Sequence, residues 1–249
     1  MFIDRQRELA FLDGLLSRAK TGSAQLCMVT GRRRTGKTEL LLHWANRSAV
    51  PYLYWAAVKE TPWQQRIRLS ARLFDEPLAA APVYKSWAEL WEAAVRGLSR
   101  NQHILILDNF PYAADADPQM ASSLRDAWER WFRPADVTVI LCGAQQRSMQ
   151  DLLTDKSPLH GQVTAQLQVD PLPYAAIQPF FPGWDAETRV AAYAISGGVP
   201  AYLAWLNPGL DLAGNVEHTL LQPGSMFLAE PAYLLYDELR EHNNYLGIL

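Results

Sequence analysis

The chain has 249 residues, of which 49% are hydrophobic and 20% charged, and its formal net charge is −3. This length suits one α/β domain with a smaller appendage, and the acidic balance excludes a surface built throughout for nucleic acid, which is usually basic. Because no apolar run reaches the roughly 18 residues of a membrane span and the N-terminus lacks a signal-peptide pattern, we predict a cytoplasmic protein without membrane contact.

Apolar runs alternate with helical patterns over the first 172 residues. In chain order, the patterns predict a helix over 2–20, a strand over 24–30, a helix over 37–49, a strand over 50–58, helices over 61–75 and 86–98, a strand over 103–109, a helix over 118–132, and strands over 137–143 and 164–172. Continuous apolar strands between helices predict a parallel sheet covered on both faces. Cys27 and Cys142 lie in two of these strands and are expected to be reduced core thiols.

The pattern changes after Pro171, which also marks the preceding strand as a final or edge strand. From there on, the segments are helical and are broken by glycine and proline. We therefore predict a first domain over 1–172 and a small helical domain over 173–243. Residues 244–249 resemble the start of a further helix, and we expect them to begin a truncated C-terminal region.

The segment 31–38 reads GRRRTGKT, which is the G-x-x-x-x-G-K-T spacing of a phosphate-binding loop between a strand and a helix. Gly31 and Gly36 allow the backbone to curl so that its N–H groups converge on a phosphate, and the helix that follows adds its positive end. Lys37 is predicted to reach the β- and γ-phosphates, and the Thr38 hydroxyl to complete the shell of a Mg²⁺ ion.

Three arginines, Arg32, Arg33 and Arg34, fill the variable positions of this loop together with Thr35. They are candidates for contacts with phosphate, with an acidic partner or with nucleic acid. A solvated basic loop tip is an equally good interpretation, and the sequence leaves both open.

A carboxylate is expected on a neighbouring strand, and Asp108 supplies it at the end of the apolar run ILILD. Ligands of open α/β sheets bind at the carboxyl ends of the strands, so Asp108 is predicted to hold Mg²⁺ together with Thr38. The alternative is that Asp108 caps the next helix.

Seven segments in order resemble the archaeal-type ATPase family, in the STAND branch of the AAA+-related P-loop ATPases: FIDRQREL, GRRRTGKTEL, LILDN, VTVILCGA, SPLHGQVTAQLQVDPL, SGGVPAYL and EPAYLLYDELRE. The resemblance implies an α/β fold, a P-loop NTPase three-layer sandwich with a parallel sheet followed by a small helical lid domain. It implies ATP or ADP with Mg²⁺ as ligands, and a further strand between the loop strand and the Asp108 strand. It also adds Arg5 and Glu39 to the candidate nucleotide-binding residues, and it implies that a winged-helix domain is missing here.

Three positions depart from the family pattern. Asn109 stands where the family usually has the Glu that aligns the attacking water, Gln162 stands where it has Arg, and Ala144 where it commonly has Ser. An amide does not accept a proton at neutral pH, and loss of a charge-neutralising group slows phosphoryl transfer. Asp115 and Asp117, expected in the loop after the strand, are alternative bases.

The resulting prediction is an ATP-binding, nucleotide-gated switch with weak or absent hydrolysis and no assigned catalytic residue. One alternative is an active ATPase whose base or arginine comes from elsewhere. The other is a DNA-associated adaptor that contacts nucleic acid through the missing winged-helix domain. A protein partner or self-association is left open.

Overall fold

The computed structural model describes residues 2–20, 24–98, 103–135 and 137–238. The chain divides into two compact units. Gln6–Thr30 and Lys37–Gln168 form the first, called the sheet unit, and Met1–Arg5, Gly31–Gly36 and Val169–Leu249 form the second, called the helical unit. The domain boundary predicted near residue 172 remains a prediction. Residues 31–36, which lie far from 169–249 in the sequence, belong to the helical unit. The predicted domain end at 243 and the segment 244–249 lie outside the described residues.

The sheet unit contains a five-stranded parallel sheet in the order β2-β3-β4-β1-β5. Its elements are α1 (Gln6–Lys20), β1 (Leu26–Thr30), α2 (Lys37–Arg47), β2 (Tyr52–Ala56), α3 (Pro62–Phe74), α4 (Trp87–Leu98), β3 (Ile104–Asp108), α5 (Phe110–Ala116), α6 (Gln119–Ala127), a π-helical turn (Trp128–Phe132), β4 (Thr138–Cys142), α7 (Gln146–Asp151) and β5 (Ala165–Gln168). Strand β4 lies between β1 and β3, as the family resemblance implied. Strand β5 is at the edge, as predicted, although it ends before the predicted residue 172.

Helices cover both faces of this sheet, which confirms the predicted three-layer arrangement. Alternate residues of each strand point to opposite faces of the sheet. On one face, side chains such as Met28, Leu105 and Leu141 form a core with α3, α4, α5 and α6. On the other face, where α1 and α2 pack, side chains such as Cys27 and Ile106 are equally buried. Because both faces are covered, every residue of β3 and of β4 is buried.

Aromatic side chains fill much of the first of these cores. Trp87 and Trp91, one turn apart on α4, stack with their ring centroids 6.2 Å apart, as their spacing predicted. Trp55 of β2 meets Trp87 edge-on, and Phe132 meets Trp91 in the same way at 5.9 Å. Phe132 belongs to the π-helical turn, so the segment predicted as a helix over 118–132 is α-helical over Gln119–Ala127 and π-helical over Trp128–Phe132.

The loop predicted after β3 is in fact helix α5. Asn109 is its N-cap residue, in the left-handed region at φ 52°, and Pro111 occupies the first turn. Proline there is favourable because its missing N–H would lack a helical partner anyway. Asp115 therefore lies in a helix, and Asp117 is the residue that ends it.

The helical unit contains helices and turns over its described part from 169 to 238. These are a 3₁₀ helix (Tyr174–Phe180), α8 (Ala186–Ser196), α9 (Pro200–Trp205), α10 (Leu212–Asn215), a π-helical turn (Val216–Leu220) and α11 (Met226–Glu238). Its core includes Ile177, Phe181, Ala192 and Leu203. No helix in the described part of the chain is long and apolar enough to cross a membrane.

A double glycine connects α8 to α9 in this unit. Gly197 ends α8 in the left-handed region at φ 59°, and Gly198 follows at φ 71°. The Leu172 N–H donates a 2.8 Å hydrogen bond to the Gly198 carbonyl. A Cβ atom at Gly198 would lie 2.2 Å from the Leu172 carbonyl oxygen, so this position requires glycine.

Candidate phosphate-binding site

The predicted phosphate loop joins β1 to α2, and its glycines are required by the backbone. Gly31 has φ 149°, and a Cβ atom there would lie 2.3 Å from the Val169 carbonyl oxygen. Gly36 has φ 88°, which disfavours any other residue. The Thr35 side chain is buried, and its hydroxyl donates a 2.9 Å hydrogen bond to the Arg32 carbonyl. These features fix a tight loop immediately before the first turn of α2.

Arg5 anchors this loop inside the helical unit. The side chain is buried, and its Nη2 donates hydrogen bonds of 2.8 Å to the Thr35 carbonyl and 2.9 Å to the Asp170 carbonyl. Arg5 therefore braces the backbone of the loop, while its predicted contact with nucleotide remains a prediction. In the sequence analysis, only the family resemblance makes Arg5 a candidate nucleotide-binding residue.

Arg34 is the loop arginine with the most defined surroundings. Its Nε lies 2.6 Å from Glu230 Oε1 in α11, and its guanidinium lies over the Trp205 ring, 5.0 Å from the centroid. Hydrogen bonding to Glu230 raises the Arg34 pKa above its ordinary value. Arg32 is exposed and Arg33 is half-buried. The predicted contacts of these arginines with phosphate remain predictions.

On the sheet unit, the first turn of α2 brings Lys37 and Thr38 to the carboxyl end of β3. Lys37 is buried, whereas Glu39 in the same turn is exposed. The Thr38 hydroxyl donates a 2.6 Å hydrogen bond to Asp108 Oδ2. The structure thus brings together the two residues that were predicted to hold a metal.

Asp108 accepts two further hydrogen bonds. The Tyr54 hydroxyl of β2 donates to Oδ2 at 3.0 Å, and the Asn109 N–H donates to Oδ1 at 2.9 Å. Burial, followed by the negative charge of Asp108, raises the Tyr54 pKa above its ordinary value. Sequence reasoning missed Tyr54, because its role depends on β2 pairing with β3. Asn109, and not Asp108, is the N-cap residue of the next helix.

Gln162 and the two alternative bases, Asp115 and Asp117, lie in the sheet unit. Gln162 is half-buried, and its Nε2 donates a 3.0 Å hydrogen bond to Glu129 Oε1. Asp117 accepts from Trp87 Nε1 and from the Gln119 N–H, both at 3.0 Å, so its carboxylate is engaged in structure. Asp115 lines an open groove near Lys59.

The two thiols are buried and free. Burial raises the Cys27 pKa to about 12, partly opposed by the charge of Arg18. Burial and the nearby Asp108 charge raise the Cys142 pKa well above its ordinary value. Both thiols are therefore neutral near pH 7, as expected for core residues.

Several solved structures of archaeal proteins share this fold. A Walker-type ATPase of Pyrococcus abyssi aligns with a TM-score of 0.68 and 16% identity, over 94% of this chain and 75% of its own. The Aeropyrum pernix ORC2 protein, in ADPNP and ADP complexes, aligns with a TM-score of 0.57 and 17% identity, over 72% of this chain and 50% of its own. The Aeropyrum pernix ORC1 protein in complex with DNA gives 0.57 and 17%, over 77% and 50%. At these identities the likeness concerns the fold.

Sequence comparison gives a curated relative and a family. An uncharacterized protein of Methanocaldococcus jannaschii is 26% identical over the whole chain, which spans 53% of that relative's length. Residues 2–206 match the sequence model of an ATPase domain found predominantly in Archaea. The match covers most of the chain and all the candidate residues from Arg5 to Asp108, so the protein belongs to this family of archaeal ATPase domains.

Proposed function

We propose that this protein binds ATP with Mg²⁺ at residues 31–38 and Asp108 and acts as a nucleotide-gated switch that hydrolyses ATP weakly or not at all. The observation that carries the proposal is the 2.6 Å hydrogen bond from Thr38 to Asp108. It places a hydroxyl and a buried carboxylate together at the first turn of the helix that follows the glycine loop. A helix N-terminus, the ammonium group of Lys37 and two oxygen ligands together favour the binding of nucleotide phosphates with Mg²⁺.

The residues fit a Mg²⁺ ion that is held mainly by phosphate and water. Thr38 and Asp108 offer hard oxygen ligands, and Mg²⁺ commonly takes one or two such protein ligands beside substrate phosphates. Within the described residues, no group of three or more acidic, histidine or cysteine side chains forms a fuller metal cage. When bound, Mg²⁺ would neutralise phosphate charge. Lys37 would add a positive charge, and the loop N–H groups would orient the phosphates.

Weak hydrolysis would follow from the side chains present at positions 109 and 162. Asn109 carries an amide that accepts no proton at neutral pH, so it does not serve as a general base. Gln162 is neutral and is engaged with Glu129. With the binding residues kept and both hydrolytic positions changed, bound ATP is expected to be hydrolysed slowly or not at all.

The switch is supported by the grouping of residues 31–36 with the helical unit. Arg5 joins the loop carbonyl of Thr35 to the carbonyl of Asp170, where the helical part of the chain begins. Phosphate contacts made by the loop would therefore act on this unit through direct hydrogen bonds. A ligand shifts a conformational equilibrium only through contacts that differ between the two states. The contacts between the loop and the nucleotide phosphates would be contacts of this kind.

Calorimetric titration of ATP and ADP with Mg²⁺, followed by a phosphate-release assay, tests this proposal. We expect saturable binding by the wild-type protein and turnover far below that of an efficient ATPase. The double variant Asn109→Glu with Gln162→Arg should raise turnover by at least tenfold, because each group supplies a factor of this order or more. Rapid turnover by the wild type would contradict the switch, and absence of binding would contradict the whole proposal.

A second candidate is an active ATPase in which Asp115 serves as the base. Its carboxylate lines an open groove on the sheet unit, whereas Asp117 is engaged by Trp87. In that case Asp115→Asn should abolish phosphate release while leaving ATP affinity unchanged. If wild-type turnover is high and Asp115→Asn does not alter it, this candidate is excluded.

A further inference from the structure

Glu230 is a buried carboxylate in α11 whose charged partner comes from the phosphate loop. Its side chain is 4% exposed, and Oε1 lies 2.6 Å from Arg34 Nε. The Tyr202 hydroxyl donates a 3.1 Å hydrogen bond to the same oxygen. Oε2 is buried and has no hydrogen-bond partner among the described residues. A buried carboxylate is strongly unfavourable without a partner, so Arg34 and Glu230 hold each other firmly.

The backbone at Arg34 gives this ion pair a specific consequence. Arg34 has φ 66°, in the left-handed region that residues with a Cβ atom avoid. Such a conformation persists when the surroundings hold it in place. Two contacts do so here, since Glu230 holds the guanidinium by its Nε and Trp205 lies 5.0 Å beneath it. The left-handed residue lies within the loop that is proposed to hold phosphate.

We infer that Glu230 is a positioning residue for the phosphate loop, which it holds in its nucleotide-binding conformation through Arg34. The inference rests on the proposed function, and it adds that α11 of the helical unit sets nucleotide affinity. Arg34 then contributes through its backbone conformation, while its side chain serves as the anchor. A change in α11 that moved Glu230 would release the loop, which provides a route for regulation.

Hydrogen exchange of a peptide covering residues 31–36, measured without nucleotide, tests the positioning directly. Glu230→Gln keeps the size of the side chain and an oxygen for Tyr202, but removes the charge that holds Arg34. Exchange in this peptide should become about tenfold faster, and the affinity for MgATP should fall by about tenfold, as for loss of one charge-assisted hydrogen bond. The matched control is Glu217→Gln, because Glu217 is an exposed carboxylate of the same unit, and it should change neither quantity.

A variant series separates positioning from general loss of stability. Arg34→Gly allows the left-handed turn without an anchor, so adding Glu230→Gln to it should change MgATP affinity by less than about twofold. An equal loss in both backgrounds would overturn the inference. So would faster exchange spread evenly over 169–238. If Glu230→Gln fails to fold, Arg34→Met removes the same ion pair and should also speed exchange in the loop.

The same measurements distinguish a failure of the proposed nucleotide binding from a failure of the positioning role of Glu230. If the wild type does not bind nucleotide but Glu230→Gln still speeds loop exchange, the proposed function is wrong and the positioning of the loop stands. If the wild type binds MgATP and Glu230→Gln leaves loop exchange and affinity unchanged, the positioning role is wrong and the proposed function stands.

Discussion

Replacement of Asp108 tests the buried polar cluster at the end of β3. Asp108 is 2% exposed, and its carboxylate accepts hydrogen bonds from the Thr38 hydroxyl, the Tyr54 hydroxyl and the Asn109 N–H. Asp108→Ala removes the two oxygens that accept these three hydrogen bonds. Each lost hydrogen bond costs about 1 kcal/mol, so the free energy of unfolding should fall by about 3 kcal/mol. Urea denaturation followed by tryptophan fluorescence measures this change.

Two further variants separate the loss of hydrogen bonds from the loss of charge and provide a control. Asp108→Asn keeps an oxygen for the hydroxyl donors, so it should lose only about 1 kcal/mol, yet it should remove the Mg²⁺ dependence of ATP affinity. Asp126→Ala is the control, since Asp126 is about half-exposed beside Arg125 and should change stability by less than about 0.5 kcal/mol. A loss below about 1 kcal/mol for Asp108→Ala would refute the reasoning about buried donors.

Two other predictions concern backbone and thiols. Thermal melts should show that Gly198→Ala lowers the free energy of unfolding by roughly 3 kcal/mol, because its Cβ atom would meet the Leu172 carbonyl. Gly197→Ala, whose Cβ atom would meet no other described atom within 4 Å, should lose about 1 kcal/mol in the same melts. Equal losses of stability in the two variants would contradict the predicted clash at Gly198. Because burial raises the pKa values of Cys27 and Cys142, their neutral forms stabilise the fold below the ordinary thiol pKa, and this stability is lost as the pH rises above it. Native protein at pH 8 should therefore resist thiol reagents that label the unfolded chain fully, and rapid native labelling would exclude two buried thiols.

Much of the sheet could be predicted because its three central strands, β1, β3 and β4, are buried on both faces. Continuous apolar runs such as ILILD then have one simple explanation, and the positions of β1, β3 and β4 followed from it. Helix α5 was missed because its seven residues are too few to show a helical period. The π-helical turn over Trp128–Phe132 was missed because five residues are too few to show a change of helical period.

The candidate site could be predicted only where its residues are close in sequence or belong to a known motif. Lys37, Thr38 and Asp108 follow from spacing and from the ends of strands. Tyr54 and Glu230 do not, because their roles depend on which strands pair and on where α11 packs. No local pattern marks a tyrosine in an aromatic strand, or a glutamate in an apolar helix, as a partner of a loop far away in the chain.

Binding of MgATP to the wild-type protein and to Lys37→Ala, measured by isothermal titration calorimetry, tests the central claim most directly. Lys85→Ala, which changes an exposed lysine of the same unit, is the matched control. The account predicts saturable heat for the wild type and for Lys85→Ala, and none for Lys37→Ala. A wild-type protein that gives no saturable heat with millimolar nucleotide, or a Lys37→Ala variant that binds as tightly as the wild type, would contradict it.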